Sequence, residues 1–440
     1  MTAKVCVVGS GYIGSVIAAV LASRGCDVTA IDINAPLIAA FAKGEAPIAE
    51  PGLQDLVGEG LAAARLRFTT DFAACAEADV ILVTVGTPLA EDYTADLGHV
   101  RATVQMLRPH VRDGQLIMLK STVPPGTTRE IFAEPLRQVA ALDFAFSPER
   151  LAEGAAIREL TSLPIIVGGI DAASTERAAV FWRTVLGVKV IEVSSPESAE
   201  MVKLADNLWI DLNIALAHDL AKLCDALPYP LDVLEVIKGA NSLKKGQHHV
   251  NILTPSNGVG GYCLTKDPWF VHALGKRCGI DLLTPRTSRA VNDSMPAYCA
   301  RTILDHLAAA GIAPSAAKVA VLGLAFKTNS GDVRLTPVSQ FLAALREAGV
   351  GTVAVHDPMV LAHEAEELGE TLVGTADAVL DGAHCVAFLV GHDQFHAIDP
   401  DRIAARTAPG ALVFDGRMYF AADAVAALQA RGLVFKGVGR

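Results

Sequence analysis

Short, continuously apolar runs punctuate the first part of the chain, separated by stretches with helical periodicity. Lys4-Val5-Cys6-Val7-Val8 is the first and Val28-Thr29-Ala30-Ile31 the second, with a helical run over 15–23 between them. Runs that are apolar on both faces read as strands of a parallel sheet covered by helices. Further strands are predicted over 80–85, 115–119 and 144–146. The sequence after each turns polar or Pro/Gly-rich: Gly86-Thr87-Pro88, Lys120-Ser121-Thr122-Val123-Pro124-Pro125-Gly126 and Ser147-Pro148-Glu149-Arg150.

The rhythm changes over 197–226. Ala199, Met201, Val202, Leu204, Ala205, Leu208, Leu212, Ala215, Leu216 and Leu220 follow a helical spacing, which predicts one helix longer than most in globular proteins. The helical region extends to about Pro296, and a linker over 311–315 closes it. The opening pattern then returns. The run 318–323 echoes 4–9, and Val353-Ala354-Val355-His356-Asp357 echoes Val28 to Asp32, with later strands over 385–390 and 412–414. The expected fold is α/β, with two Rossmann-like doubly wound domains joined by a long central helix and a helical middle domain. The expected boundaries are 1–196, 197–312 and 313–440. A helix of this length between two α/β halves is also a natural core for a homodimer or a higher homo-oligomer.

Composition narrows the class. A chain of 440 residues, 51% hydrophobic and 19% charged, has material for several packed cores. Its net charge of -11 argues against nucleic acid or an anionic membrane as partner. The eight cysteines form no C-x-x-C pair and stand near no histidine cluster, so neither a metal site nor a disulfide framework is expected. With no signal-like start and no long uninterrupted apolar span, the chain reads as soluble and cytoplasmic.

Gly9-Ser10-Gly11-Tyr12-Ile13-Gly14 lies between a predicted strand and a predicted helix, and the second strand ends at Asp32. This is the context that gives a G-x-G-x-x-G its meaning: room for a turn, bare backbone for a pyrophosphate, close helix–strand packing, and an acid for the ribose. Ile33 and Asn34 follow Asp32 with no arginine to receive a 2′-phosphate, so NAD is expected over NADP. Thr87 and Thr122 fall at successive strand ends, where an open parallel sheet binds ligands; helix capping accounts for each of them equally well. Glu149 and Glu153 share a face, as an acid–base pair working through water, if their turn is helical, and mean little if it is a solvated loop. The second copy of the Rossmann pattern has Leu324-Ala325-Phe326-Lys327 where the first has glycines, so different cargo is expected there, with Lys327 and Arg334 supplying charge for a diphosphate.

The densest chemistry is Asn257-Gly258-Val259-Gly260-Gly261-Tyr262-Cys263-Leu264-Thr265-Lys266-Asp267. Its glycines either bare the backbone for a ligand or permit positive φ. A thiol followed by a lysine and an aspartate has the parts of an activated nucleophile, with Lys266 favouring the thiolate and Asp267 orienting water or taking a proton. A tight turn before a helix, with Cys263 a small buried hydrophobe, is the plain alternative. Lys203 and Asn207 lie one helical turn apart; a lysine in such a stripe usually snorkels to water.

Taken in order, these motifs resemble the UDP-glucose/GDP-mannose dehydrogenase family over essentially the whole chain. They are Gly9 to Gly14, Thr87-Pro88, Ser121 to Gly126, Pro148-Glu149, Lys203 with Asn207, Gly258 to Asp267, Phe326-Lys327 with Arg334, and Asp415-Gly416-Arg417. Ala199 to Leu204, Val250 to Leu253, Asp267 to Phe270 and Val291 to Pro296 are most similar to the branch that oxidises UDP-N-acetylhexosamines. The resemblance implies four-electron oxidation of a UDP-sugar C6 hydroxyl to a carboxylate with two NAD per turnover, through a Cys263 thiohemiacetal and thioester. It implies Asp267 as base or water positioner, Glu153 in hydrolysis, and Lys203 with Asn207 holding the oxyanion, with Thr122 beside them. It further implies cofactor contacts from Gly9, Gly11, Tyr12, Ile13, Gly14, Asp32, Thr87, Thr122, Lys266 and Arg334. Substrate contacts would come from Glu149, Arg150, Leu151, Lys203, Asn207, His249, Asn251, Gly260, Gly261, Phe326 and Lys327. The chain departs from the branch at Ile210, Gln247, His249 and Thr254-Pro255-Ser256-Asn257, all on the sugar-recognition side. A UDP-glucose 6-dehydrogenase is the first competing reading; a two-electron hydroxyacid dehydrogenase and a non-catalytic nucleotide-sugar sensor are the others, and neither of these two needs the thiol.

Overall fold

A computed structural model describes residues 3–246 and 248–440, so Gln247 lies outside the described residues. The chain forms two compact units. One holds the residues up to Asp206 together with Ala273–Ile280, and the other holds Asn207–His272 and Asp281–Arg440.

The first unit is built on eight strands: β1 (Lys4–Val8), β2 (Asp27–Ile31), β3 (Leu66–Thr69), β4 (Val80–Val83), β5 (Leu116–Leu119), β6 (Asp143–Phe146), β7 (Ile165–Gly169) and β8 (Val190–Glu192). Their order across the sheet is β3-β2-β1-β4-β5-β6-β7-β8, parallel except where β6 meets β7. Strands β4 and β5 are buried throughout, and β1 beyond Lys4, as parallel strands covered on both faces require. The order reverses between β1 and β4, and doubly wound sheets bind ligands at such a switch point.

In the second unit the central helix Pro196–Ala226, which starts in the first unit, is followed by a small antiparallel hairpin of β9 (Lys244–Lys245) and β10 (His248–His249). Two further long helices follow, Tyr262–Arg277 and Leu283–Ala309. The second sheet comprises β11 (Lys318–Leu322), β12 (Thr352–His356), β13 (Cys385–Phe388), β14 (Leu412–Asp415) and β15 (Val434–Gly437), in the order β12-β11-β13-β14-β15, all parallel. The fold is thus α/β with two Rossmann-like sheets and helices between them in the chain.

Two sequence expectations are corrected. The helical region does not stop near Pro296: the helix runs through that proline to Ala309, because Met295, Cys299, Ile303 and Leu307 keep one buried stripe on both sides of it. The turn bearing Glu149 and Glu153 is not helical, since the next helix begins only at Ala156, so the two carboxylates do not share a helical face.

Candidate functional site

Gly9 ends β1 with a φ of +94°, and the opening helix Tyr12–Ser23 follows directly. A Cβ added to Gly14 would stand 1.7 Å from the Gly9 carbonyl oxygen and 2.7 Å from Thr84 Oγ1, so only glycine lets this helix sit on this loop. Asp32 accepts from the Ser10 N–H at 2.6 Å and from the Asn34 N–H at 2.9 Å. Beside them a cavity of about 260 Å³ is lined by Gly9, Gly11, Asp32, Phe72, Thr84 and His99. The Ser10 hydroxyl is buried without a partner. An acid at the second strand end, bare glycine backbone, an unsatisfied hydroxyl and a helix N-terminus fit a dinucleotide. The side chains of Tyr12 and Ile13 turn to protein. Tyr12 donates to Glu50 and accepts from the Gly154 N–H at 2.8 Å, burial and Glu50 push its phenol up, and Ile13 packs on the sheet core.

The polar strand ends of this unit are tied to one another. Thr87 donates to the Thr122 carbonyl at 2.7 Å, joining the loops after β4 and β5. Lys120, fully withdrawn from water, donates to the Ser147 carbonyl at 3.0 Å and lies 5.0 Å from the Trp182 ring; burial lowers its pKa to about 8. Glu200 of the central helix accepts from the N–H groups of Gly126 and Thr128, each at 2.7 Å, and from the Thr128 hydroxyl at 2.6 Å. Burial nonetheless raises its pKa to about 7. One turn on, Lys203 does not snorkel: its side chain is 6% exposed and its ammonium stands 3.9 Å from Glu149, itself 13% exposed. Glu149 also accepts from the Leu151 N–H, and Leu151 packs on the sheet core. Arg150 donates to the Pro164 carbonyl at 2.7 Å and meets Asp206 at 3.4 Å. Glu153 is half-buried near Tyr12, on whose phenol its charge acts, so the two glutamates face different surroundings.

In the second unit Cys263 is exposed in the first turn of the helix Tyr262–Arg277, which rules out the buried-hydrophobe alternative. A helix N-terminus favours thiolate over thiol. Asp267, one turn further and fully buried, accepts from the Asn207 amide and from the Lys266 ammonium at 2.6 Å. Lys266 also lies 4.5 Å over the Phe270 ring. The Lys266 ammonium is thus held between Asp267, its neighbour in the chain, and Phe270, one turn on. The glycines permit close packing: a Cβ on Gly261, whose φ is +81°, would meet the Phe326 ring at 2.8 Å, and one on Gly260 would meet Phe326 Cβ at 2.7 Å.

A cavity of about 500 Å³ opens beside this segment, lined among others by Ser256, Gly260, Leu264, Phe326, Lys327 and Arg417. Arg334 is bound to Asp332 and lies 5.2 Å over the Tyr262 ring. His249 and Asn251 are exposed on and just after the hairpin and do not line the cavity. Ile210, on the central helix, is likewise absent from its lining.

Several residues without an expected role prove to hold the thiol segment. Pro268 has no N–H for the Leu264 carbonyl, and Arg289 supplies the missing donor at 3.1 Å. Arg289 is buried against Asp211 at 2.7 Å, and Asp211 in turn accepts from Ser288 and Asn292. His218 accepts from the Ser256 N–H at 3.0 Å and pairs with Asn292 at 2.8 Å; burial lowers its pKa to about 3. Arg417 donates to the carbonyls of Leu389 and Phe326, and burial lowers its pKa to about 10. The proline inside the helix was the one signal in the sequence for a donor from elsewhere; nothing in it named Arg289.

The family models agree with this arrangement domain by domain. Residues 3–186 match the NAD binding domain of the UDP-glucose/GDP-mannose dehydrogenase family, 197–294 its central domain and 320–422 its UDP binding domain. The UDP-N-acetyl-D-mannosamine dehydrogenase of Methanococcus maripaludis is 35% identical over 91% of this chain and 88% of its own length. The NDP-N-acetyl-D-galactosaminuronic acid dehydrogenase of Ralstonia nicotianae is 33% identical over 96% of this chain and 97% of its own. The solved structure of a UDP-glucose dehydrogenase from Pyrobaculum islandicum superposes with a TM-score of 0.87 at 29% identity, covering 100% of this chain and 98% of that one. With glycine loop, ribose acid, exposed helix-borne thiol and second sheet all in sequence order, the chain belongs to the UDP-glucose/GDP-mannose dehydrogenase family, and NAD is its cofactor.

Proposed function

We propose that the protein oxidises the C6 hydroxyl of a UDP-N-acetylhexosamine to the carboxylate in two successive two-electron steps. The observation that carries this reading is Cys263, exposed on the first turn of its helix with Asp267 one turn behind, buried and held by Asn207 and Lys266. NAD, when bound, supplies the hydride acceptor for both oxidations. Between them the Cys263 sulfur adds to the aldehyde carbon, forming a thiohemiacetal; loss of a hydride leaves a thioester, and water cleaves the C–S bond to release carboxylate and thiol. We assign Asp267 as base or water positioner, Glu153 to the hydrolysis step, Lys203 with Asn207 to the oxyanion, and Thr122 to the catalytic set beside them.

Gly9, Gly11, Gly14, Asp32, Thr87 and the backbone of Tyr12 and Ile13 are assigned to the cofactor, with Lys266 and Arg334 for its charge. The sugar nucleotide is assigned to Glu149, Arg150, Leu151, Gly260, Gly261, Phe326 and Lys327. His249 and Asn251, exposed on and just after the hairpin, are assigned to a sugar bound by a second copy of the chain. In this reading 1–196 is the NAD domain, 197–312 the helical dimerisation domain with the thiol, and 313–440 the UDP domain.

A homodimer is supported by an apolar stripe on the central helix, where Trp209, Leu212, Leu216 and Leu223 are exposed on a helical repeat. Among the described residues no helix is long and apolar enough to cross a membrane, in keeping with action in the cytoplasm. The relatives named for N-acetylated sugars favour the hexosamine; the likeness to a UDP-glucose dehydrogenase keeps UDP-glucose as the second substrate to test.

The deciding experiment offers UDP-GlcNAc, UDP-ManNAc, UDP-GalNAc and UDP-glucose to the wild type and to Cys263→Ser. Two NADH per sugar for the wild type, with Cys263→Ser binding substrate but failing to turn over, is the expected result. One NADH per sugar, or wild-type rates in Cys263→Ser, overturns it.

A further inference from the structure

The acid that ends the second strand of the second sheet does not face a ligand. Asp357 is 4% exposed, and its carboxylate accepts from the N–H groups of Leu324 at 2.7 Å, Ala325 at 3.1 Å and Met359 at 2.8 Å. The Val360 N–H adds a further donor at 3.3 Å, and the side-chain partner is His392, whose Nε2 lies 3.1 Å from the same oxygen that serves Leu324 and Ala325. On the other side of the imidazole, Nδ1 lies 3.0 Å from the backbone nitrogen of Asn329. A backbone N–H only donates, so Nδ1 accepts and the ring hydrogen sits on Nε2, where it is given to Asp357. Both side chains are without solvent contact. Burial alone raises the Asp357 carboxyl, but the His392 bond and the two N–H groups outweigh it and hold the pKa below the usual carboxylate range.

The two ends of this relay grip one loop. Asp357 holds it at Leu324 and Ala325, His392 holds it at Asn329, and between these anchors stand Phe326, Lys327 and Thr328, which line the 500 Å³ cavity. Asn329 has a φ of +54°, unusual for a residue other than glycine, and its side chain is exchanged with Asp393: Nδ2 donates to Oδ2 at 2.8 Å and Oδ1 accepts the Asp393 N–H at 2.9 Å. A loop held in a left-handed conformation at one end by a fixed imidazole tautomer has its cavity face set before ligand arrives.

We propose that the Asp357–His392 pair is a positioning device for nucleotide-sugar binding, fixing the loop that presents Phe326, Lys327 and Thr328 to the diphosphate and sugar. This rests on the assignment of that cavity to a UDP-sugar. His392 touches neither substrate nor cofactor; it acts through the Asn329 N–H. Glutamine reproduces both of its bonds, with Oε1 accepting from Asn329 and Nε2 donating to Asp357, whereas phenylalanine fills the space and makes neither.

The test compares wild type, His392→Gln and His392→Phe by calorimetric titration with UDP and with NAD, and by steady-state kinetics. The expected result is that His392→Phe weakens UDP at least tenfold and raises KM for the sugar nucleotide, with kcat and the NAD Kd within about twofold of wild type. His392→Gln should restore UDP binding to within about threefold. Equal UDP affinity in His392→Phe and wild type overturns the positioning role and leaves the proposed reaction standing. A wild type that does not bind UDP at all overturns both. If His392→Phe does not fold, hydrogen exchange at the Asn329 amide in the wild type decides: protection that rises when UDP is added supports the pair, and open-chain exchange overturns it.

Discussion

The two sheets open with nearly the same sequence and diverge within one turn of chain. In the first, the helix starts at Tyr12, packed so tightly on the glycine loop that Gly14 tolerates no Cβ, and Asp32 stays half-exposed at the mouth of a cavity. In the second, the chain continues from Gly323 to Thr336 before its helix begins at Pro337, and Asp357 turns inward to hold that longer loop. Both strand-end acids accept backbone N–H groups, but Asp32 is half-exposed beside a cavity while Asp357 is buried. A parallel sheet and a carboxylate at its second strand therefore do not by themselves make a dinucleotide site. What makes one is whether the helix follows at once, so that its N-terminus meets the phosphates and the acid stays at the cavity mouth.

Substitution at Gly14 has the largest expected effect on that contrast. Gly14→Val drives a side chain into Gly9 and Thr84, and should cost the first unit roughly 3 kcal/mol or more and abolish NAD binding, read by thermal unfolding and by titration with NAD. Normal NAD affinity in that variant would break the comparison. Next come the two acids. Asp32→Ala should raise the KM for NAD on the order of 10- to 100-fold, the equivalent of one charge-assisted hydrogen bond, with little change for the sugar nucleotide. Asp357→Ala should do the reverse, leaving the NAD KM unchanged while lowering thermal stability. If both variants lose NAD alike, the acids are not differently employed.

The pH response sharpens the contrast further. Burial raises Glu200, in the first unit, from its ordinary 4.5 to about 7, so the folded state holds that proton more tightly than the unfolded chain. The stability this contributes is complete below the ordinary value and is lost as pH rises through about 7. Burial lowers His218, in the second unit, from 6.5 to about 3; its contribution is present above 6.5 and is lost as pH falls through about 3. Between about pH 5 and about pH 8 the first unit should therefore weaken, by about 2 kcal/mol or less at Glu200, and Glu200→Gln should flatten that dependence in thermal unfolding. A wild type and a Glu200→Gln variant with parallel pH profiles would contradict this. The smallest effect belongs to Arg334, whose pairing with Asp332 is 46% exposed on the arginine side: Arg334→Ala should change stability by less than about 1 kcal/mol while raising the KM for NAD. A large loss of stability would show that this ion pair is structural.

Much of the molecule was readable from residue order. Apolar runs placed the parallel strands, helical spacing placed the central helix, and the glycine spacing with Asp32 pointed to the cofactor, because each signal depends only on neighbours along the chain. The motif series likewise located Cys263, Asp267, Lys203 and Asn207. Local sequence misled where partners come from afar. Lys203 is buried against Glu149, 54 positions away, instead of snorkelling, and Glu149 and Glu153 part company because no helix forms between them. Arg289 behind the thiol helix had no local sign beyond Pro268, the residue that leaves a carbonyl for it to satisfy.

Order along the chain thus determined the strands, the long helices and the kind of chemistry available, since backbone preference and the periodicity of burial are short-range properties. Only the tertiary structure decided which charges are paired, which acid faces a cavity and which glycines pack against Phe326. A buried carboxylate takes whichever donors the fold brings to it, and those donors lie tens of residues away in the sequence.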